Sequence, residues 1–263
     1  MIKIENVVTP SPEQWMAIIM GCRNPLNSWH LSDSYDAVDC NKCGRVYEDG
    51  GCSAEGRDCS PWRTIHIGEK DYSLMMRLRN AGTDHRKFMR MITVYADITA
   101  PLYWFKEEDT YKVGTVANSC STMHKIAAKE FTLDDFSHEH LISTCSLESV
   151  INELNIYRDI YNHYDEQTEE YKAEFSKKDI WWQMIQLLPS SYNQKRTVML
   201  NYETLTNMYH SRRNHRLDEW LVFCDWIESL PFSKLIIGDS IPYTRTAAVS
   251  SSKEVSQQTL QEA

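Results

Sequence analysis

The sequence contains no uninterrupted run of about 18 apolar residues, the length that a membrane-spanning helix requires. Its first residues, MIKIENVVTPSPEQW, also lack a basic region leading into an apolar one, so no signal peptide is expected. These absences predict a cytoplasmic protein, in which the eight cysteines stay mostly reduced.

The chain also lacks an excess of basic residues. It has 28 Lys and Arg against 37 Asp and Glu, a formal net charge of −9. Proteins that bind a nucleic-acid backbone need a basic surface, so direct DNA binding is not expected. A small anionic ligand held in a local pocket remains compatible with this charge.

Three common catalytic signatures are missing. No Gly-rich phosphate loop, no G-x-S-x-G sequence and no H-E-x-x-H sequence occurs in the chain. Their absence argues against a P-loop nucleotide hydrolase, a serine hydrolase of the nucleophile-elbow type and a zinc protease.

The composition is that of a globular protein, with 42% hydrophobic and 25% charged residues in 263. We predict one domain over residues 1–242, with a Cys-rich insertion at about 33–63. The polar stretch 243–263 is predicted to be a disordered tail.

Four cysteines of the insertion are spaced C-x2-C-x8-C-x6-C, at Cys40, Cys43, Cys52 and Cys59. A C-x2-C pair with two further cysteines suggests a structural zinc site, and His66 could replace one ligand. The second pair is more widely spaced than in a two-knuckle zinc ribbon. A disordered or disulfide-linked loop is therefore the alternative.

Several segments of the first half have a clear secondary-structure pattern. Residues 1–9 are strand-like, and Ser11 or Pro12 is expected to begin a helix that Gly21 ends. A helix is predicted from residue 70 to about 81. The β-branched and aromatic stretch 91–105 predicts a strand in which Pro101 marks the end or a bulge.

The second half has mostly helical spacing. Helices are predicted over four segments, 147–164, 180–188, 201–215 and 217–230. Trp181, Trp182 and the tyrosines of the first of these helices are interpreted as core or subunit interface, in preference to a surface on which bases stack.

Two blocks of sequence, residues 82–125 and residues 187–230, resemble the flavin-dependent thymidylate synthase family. The first, residues 82–125, reads GTDHRKFMRMITVYADITAPLYWFKEEDTYKVGTVANSCSTMHK. The second, residues 187–230, reads LLPSSYNQKRTVMLNYETLTNMYHSRRNHRLDEWLVFCDWIESL. Together they cover under half of the chain. The family has, in this order, a His-containing turn, a strand with Ala-Pro, the signature RHRxxSxxxxS, a Leu-Pro turn, an Asn and an Arg.

The resemblance implies roles for particular residues. His85, Asn201 and Asn207 match positions beside the flavin, and Pro101 matches the family's proline. Arg212 matches the arginine that holds the pyrimidine and stabilises charge growing on it.

The signature itself departs from the family pattern. Thr110, Tyr111 and Lys112 stand in place of RHR, so Lys112 is the one cation left there for the cofactor. Thr115 and Cys120 stand at the two Ser positions, which implies substrate binding. Cys120 would be a better nucleophile than Ser, and the alternative is a small Ser-like residue.

The family's fold is expected with these roles: an α/β (α+β) domain with a mixed sheet and a helical C-terminal half. The resemblance implies a flavoprotein that uses FAD, with NADPH and methylenetetrahydrofolate as co-substrates. The substrate would be a deoxyuridine-type nucleotide such as dUMP. The chain would assemble as a homotetramer.

Three alternatives stay open at this point. The same fold without catalysis would bind a nucleotide or a partner protein. Arg212 read alone is part of a solvated basic face. Asn201 read alone is a helix N-cap, which is compatible with a place in the site.

Overall fold

The computed structural model describes residues 2–38 and 63–238, and the chain there forms six strands and ten α-helices, besides short 3-10 turns. The strands are β1 (Lys3–Val8), β2 (Tyr35–Val38), β3 (Arg63–His66), β4 (Thr93–Pro101), β5 (Val116–Ser119) and β6 (Asn193–Asn201). The helices are α1 (Pro12–Arg23), α2 (Glu69–Asn80), α3 (Leu102–Glu108), α4 (Thr122–Lys125), α5 (Cys145–Asn162), α6 (Glu169–Glu174), α7 (Lys177–Leu187), α8 (Tyr202–Arg212), α9 (Asp218–Glu228) and α10 (Lys234–Ile237). None of these helices is long and apolar enough to cross a membrane.

The main sheet has four strands in the order β1-β4-β6-β5. The central strands β4 and β6 pair along nine residues, from Thr93 opposite Asn201 to Pro101 opposite Asn193. A helix follows each of them directly, α3 after β4 and α8 after β6. A second sheet pairs β2 with β3. In the sequence these two strands flank residues 39–62, which the structure does not describe.

The combination of sheet and helices confirms the predicted α+β class. The expectation of a mixed sheet is wrong in detail, because every strand pair within residues 2–38 and 63–238 is antiparallel. Strand β6 lies in a half of the chain that the sequence pattern indicated as helical. Its polar stretch Lys195–Thr197 hides the alternation that marks a strand, and pairing with β4 and β5 decides its conformation.

One face of the sheet is buried. In β4 the side chains of Val94, Ala96, Ile98 and Ala100 point into the core, and the residues between them are at least partly exposed. This period of two is the pattern of a strand with one buried face. Strand β6, residues 88–92 and helices α1, α2, α3, α8, α9 and α10 contribute most of the other side chains of this first core cluster, among them the fully buried Trp220.

A second, smaller core cluster lies between α5 and α7. It joins Leu147, Ile151 and Leu154 of α5 to Met184 of α7. Side chains from residues 126–136 complete it, and Tyr161 and Trp181 pack against it while half-buried. Of the aromatic residues that the sequence assigned to core or interface, Tyr157, Tyr161 and Trp181 therefore border this second cluster, whereas Trp182 is exposed.

Most predicted helices are present, with small shifts at their ends. Helix α1 is capped by Ser11 as expected, but it continues through Gly21 to Arg23, so the expected end at Gly21 is wrong. Helix α7 begins at Lys177, one turn before the predicted 180, because Ser176 and Asp179 form a capping box. Pro101 ends strand β4, and α3 follows at once.

A buried ion pair holds α1 and α2 together. Arg23 donates from Nε to the Asp71 carboxylate at 2.5 Å, and both side chains are almost inaccessible to solvent. Asp71 also accepts hydrogen bonds from Ser32 and Ser34, so every part of its charge is engaged. Burial alone would raise the pKa of Asp71, but these hydrogen bonds together hold it below the ordinary value.

We expect Asp71→Ala to lower the free energy of unfolding by about 3–5 kcal/mol, because it leaves the Arg23 charge buried without its partner. Urea denaturation at pH 7 measures the change. Asp159→Ala, which removes an exposed carboxylate beside His163, is the matched control and should change stability by less than about 1 kcal/mol. Equal effects of the two substitutions would contradict a structural role for the buried pair.

Candidate functional site

The loop formed by residues 112–115 is fastened to the first turn of α8. Asn201 caps this helix, since its Oδ1 accepts the Thr204 backbone N–H at 2.9 Å. The same side chain donates from Nδ2 to the Gly114 carbonyl oxygen at 3.1 Å, and the Thr204 hydroxyl donates to the Val113 carbonyl at 2.9 Å. Asn201 is therefore both an N-cap and a link between the two sequence blocks.

Gly114 has to be glycine at this contact. Its φ is +79°, a region that other L residues rarely adopt, and a Cβ there would lie 2.3 Å from Asn201 Nδ2. The close approach of the loop backbone to Asn201 thus depends on the missing side chain.

Arg212 makes the second link between the blocks. Its Nε donates to the Tyr111 hydroxyl oxygen at 2.9 Å, and its Nη1 donates to Glu107 Oε2 at 2.8 Å. Only 20% of the side chain is exposed. This geometry excludes the interpretation of Arg212 as part of a solvated basic face.

Glu107 collects several neighbours of Arg212. The same oxygen, Oε2, accepts the Trp220 indole N–H at 2.8 Å and lies 3.3 Å from His215 Nε2. The Arg212 guanidinium carbon lies 4.9 Å from the Trp220 ring centroid and 5.6 Å from that of Tyr111. A carboxylate and two aromatic rings therefore fix the orientation of the guanidinium.

A second set of contacts lies further along α8. Arg86 donates to Asn207 Oδ1 at 3.3 Å and to Glu203 at 3.4 Å, and Arg90 also pairs with Glu203. His85 is exposed next to Arg86, and its backbone N–H donates to the Gly82 carbonyl. The turn that carries His85 is thus joined to α8 at Asn207.

Lys112 and Thr115 differ in their surroundings. Lys112 is exposed, and its side chain makes no hydrogen bond or ion pair to the rest of the described chain. The Thr115 hydroxyl donates to the Tyr111 carbonyl at 2.6 Å and so stabilises the turn locally. Their roles toward cofactor and substrate stay predictions.

Cys120 is not brought next to Asn201. Its backbone N–H donates to the Lys195 carbonyl, six strand residues away from Asn201, which corresponds to about 20 Å along β6. The Cys120 thiol is free and exposed. A catalytic or substrate-binding role for Cys120 stays a prediction, and it requires a ligand that reaches this end of the strand.

The predicted zinc ligands Cys40, Cys43, Cys52 and Cys59 lie outside the described residues. Within the ranges 2–38 and 63–238, no group of three or more His, Cys, Asp or Glu side chains is arranged to hold a metal ion.

Three contact residues of Arg212 were missed by the sequence analysis: Glu107, Tyr111 and Trp220. Tyr111 was noted only as a loss from the signature, and the structure gives it a contact with Arg212. A single sequence gives no signal for Glu107 or Trp220, because their contacts span more than 100 residues of chain.

Of three comparisons with known proteins, only the comparison with solved structures finds a likeness. No model of a protein family matches the chain, and no curated protein matches its sequence significantly. Thymidylate synthase X (ThyX) from Helicobacter pylori, solved with FAD and dUMP, superimposes with a TM-score of 0.55 and 13% identity, covering 90% of this chain and 97% of that one. A second Helicobacter pylori ThyX complex with FAD and dUMP gives 0.51 and 13%, covering 89% and 95%. At this identity the likeness shows the fold.

Glu108 follows Glu107 at the end of α3, and its side chain is buried. Burial raises the pKa of Glu108 to about 7, and the neighbouring Asp109 adds to this effect. Arg196 opposes it from 4.0 Å, while donating to Asp109 at 2.7 Å and stacking 3.9 Å from the Phe105 ring centroid. The protonated form of Glu108 is therefore the one that the fold favours.

A raised carboxyl pKa contributes stability at low pH that is lost as the pH rises through the folded-state value of about 7. Between pH 5 and pH 8 we expect the free energy of unfolding of the wild type to fall by up to about 3 kcal/mol more than that of Glu108→Gln. Urea denaturation at both pH values measures this difference. The exposed Glu170→Gln should follow the wild type, and an identical pH dependence of all three proteins would refute the assignment.

Proposed function

We propose that this chain is a divergent flavin-dependent thymidylate synthase-like enzyme. It would transfer a one-carbon group to a deoxyuridine-type pyrimidine nucleotide, with hydride from reduced FAD. One observation carries the proposal: the two separate sequence blocks meet through the side chains of Asn201 and Arg212. The fold in which they meet resembles structures solved with FAD and dUMP.

Arg212 is the group that we assign to the pyrimidine. Its Nε and Nη1 are fixed by Tyr111 and Glu107, whereas Nη2 makes no hydrogen bond within the described part of the chain. A guanidinium held in this way donates to a ring carbonyl without reorganising, and it stabilises negative charge that grows there during reaction. Thr115 and Cys120 are proposed to contact the same substrate.

The exposed residues around α8 fit a flavin nucleotide. His85, Lys112 and Asn207 are accessible, and Lys112 and Arg86 supply cations for its pyrophosphate. Asn201 is buried, so we assign it to positioning the 112–115 loop. NADPH would reduce the bound FAD, and the reduced FAD would supply the hydride. Methylenetetrahydrofolate would supply the carbon.

A homotetramer is part of the proposal. The face of the main sheet opposite the first core cluster carries an apolar row across all four strands, formed by the paired residues Val8, Tyr95, Met199 and Val116. Val8, Tyr95 and Val116 are 58%, 48% and 61% exposed. A continuous apolar surface of this kind supports contact with another copy of the chain.

Nucleotide binding without turnover is the second candidate, and Tyr111 favours it. This residue stands at the histidine of the RHR signature, and its hydroxyl serves Arg212 instead of a ligand. Glu107 also neutralises Arg212, which weakens attraction for an anionic nucleotide. Flavin content separates the two candidates.

We expect the purified protein to bind FAD and to show a flavin absorbance spectrum that NADPH bleaches in the presence of dUMP. An absorbance titration with FAD is the direct measurement. A protein that takes up no FAD but binds dUMP in calorimetry would select the candidate without turnover. Binding of neither ligand would refute both.

We expect Arg212→Ala to weaken dUMP binding by about 10- to 100-fold, the loss of a charged hydrogen bond. Isothermal titration calorimetry measures it, and circular dichroism reports whether the variant is folded. Glu107→Gln keeps the hydrogen-bond acceptor and removes the negative charge, so it should bind dUMP more tightly than the wild type. Arg77→Ala, an exposed site on α2, is the control for loss of one positive charge. Unchanged affinity in Arg212→Ala would remove Arg212 from the site.

A further inference from the structure

A pocket of about 470 Å³ lies away from Arg212, at the surface of the second core cluster. It is formed by α4, the end of α5 and the first turns of α7. Its lining residues are Met123, His124, Tyr161, Lys177, Lys178 and Trp181. Pockets of roughly 300–1,000 Å³ are typical of small-molecule sites, so this volume is sufficient for a nucleotide-sized ligand.

The lining of this α5–α7 pocket is basic in an acidic protein. Lys177, Lys178 and His124 contribute to it, and none of its six lining residues is acidic. Lys177 and Lys178 are the first two residues of α7, where the helix dipole is already positive and acidic residues are preferred. The Asp179 carboxylate is engaged in the cap, since it accepts from the backbone N–H and the hydroxyl of Ser176. The lining residues themselves therefore carry a net positive charge.

Two aromatic rings of the pocket are held in place. The Trp181 indole N–H donates to the Met123 carbonyl at 3.0 Å, and its ring meets the Trp182 ring edge-on at 4.8 Å. The Lys177 ammonium lies 5.1 Å from the Tyr161 ring centroid. Both rings rest on the second core cluster. A fixed indole beside ammonium groups suits a ligand that joins a planar ring to an anion.

We propose that the α5–α7 pocket binds a phosphorylated aromatic ligand of nucleotide size. The ring of the ligand stacks on Trp181, and its phosphate meets Lys177, Lys178 and His124. The net charge of −9 disfavours a nucleic-acid strand as the ligand. This site does not depend on the proposed thymidylate chemistry, because Arg212 packs on Trp220 of the first core cluster.

A fluorescence titration with mant-ADP tests the proposal on the full chain. We expect saturable binding to the wild type and a loss of about tenfold or more in Lys177→Ala/Lys178→Ala, because two charge-assisted contacts are removed. Both lysines are exposed, so the variant should fold normally. Lys70→Ala is the matched control, since Lys70 is the second residue of α2 as Lys178 is of α7. It should bind as the wild type does.

The contribution of the ring is tested separately. Trp181→Phe keeps a stacking surface and should retain most of the affinity, whereas Trp181→Leu should lose severalfold. Inorganic pyrophosphate, which has no ring, should compete only weakly with mant-ADP.

Three outcomes would overturn the proposal. The first is that mant-ADP does not bind. The second is that the wild type and Lys177→Ala/Lys178→Ala bind it equally. The third is that Arg212→Ala loses binding while Lys177→Ala/Lys178→Ala keeps it. Tighter, lysine-dependent binding of a single-stranded oligonucleotide would identify a nucleic-acid surface and also overturn it.

Discussion

The antiparallel pairing of β4 with β6 is the constraint on which the rest of the structure depends. Nine consecutive residue pairs fix the register, and each strand leads directly into a helix. The pairing therefore fixes where α3 and α8 begin. Their contact through Glu107 and Arg212 follows, as does the contact of the loop after α3 with Asn201. A shift of one residue would turn Val94 and Val198 out of the core, so the register is strongly specified.

Carboxylates orient four of the arginines that the structure describes. Asp71 holds Arg23, Glu203 holds Arg86 and Arg90, and Glu107 holds Arg212. A carboxylate in contact with a guanidinium fixes its direction but also offsets its charge. Arg86, Arg90 and Arg212 around α8 are thus well oriented, and Glu203 and Glu107 offset part of their charge. The α5–α7 pocket has the opposite character, since Lys177 and Lys178 are exposed and no acidic residue lines the pocket.

Much of the local structure was predictable from local signals. Ser11 capped α1 as its sequence context indicated, Pro101 ended β4, and the spacing of apolar residues identified α5 and α9. Strand β6 was not predictable in this way. Its stretch Lys195–Thr197 is polar because Lys195 and Thr197 face Asp97 on the open face of the sheet, while Arg196 reaches Asp109. Those reasons exist only once the strands are paired.

The sequence by itself determined the helix caps, most helix positions and the two blocks that resemble a known family, because these depend on residues close together in the chain. Tertiary structure alone decided that Tyr111 and Glu107 engage Arg212, and that Cys120 lies at the far end of β5 from Asn201. It also decided that Lys177 and Trp181 border one pocket with His124. Such contacts join residues 50 or more positions apart, and the distance between them is set by strand register and core packing, which local sequence does not encode.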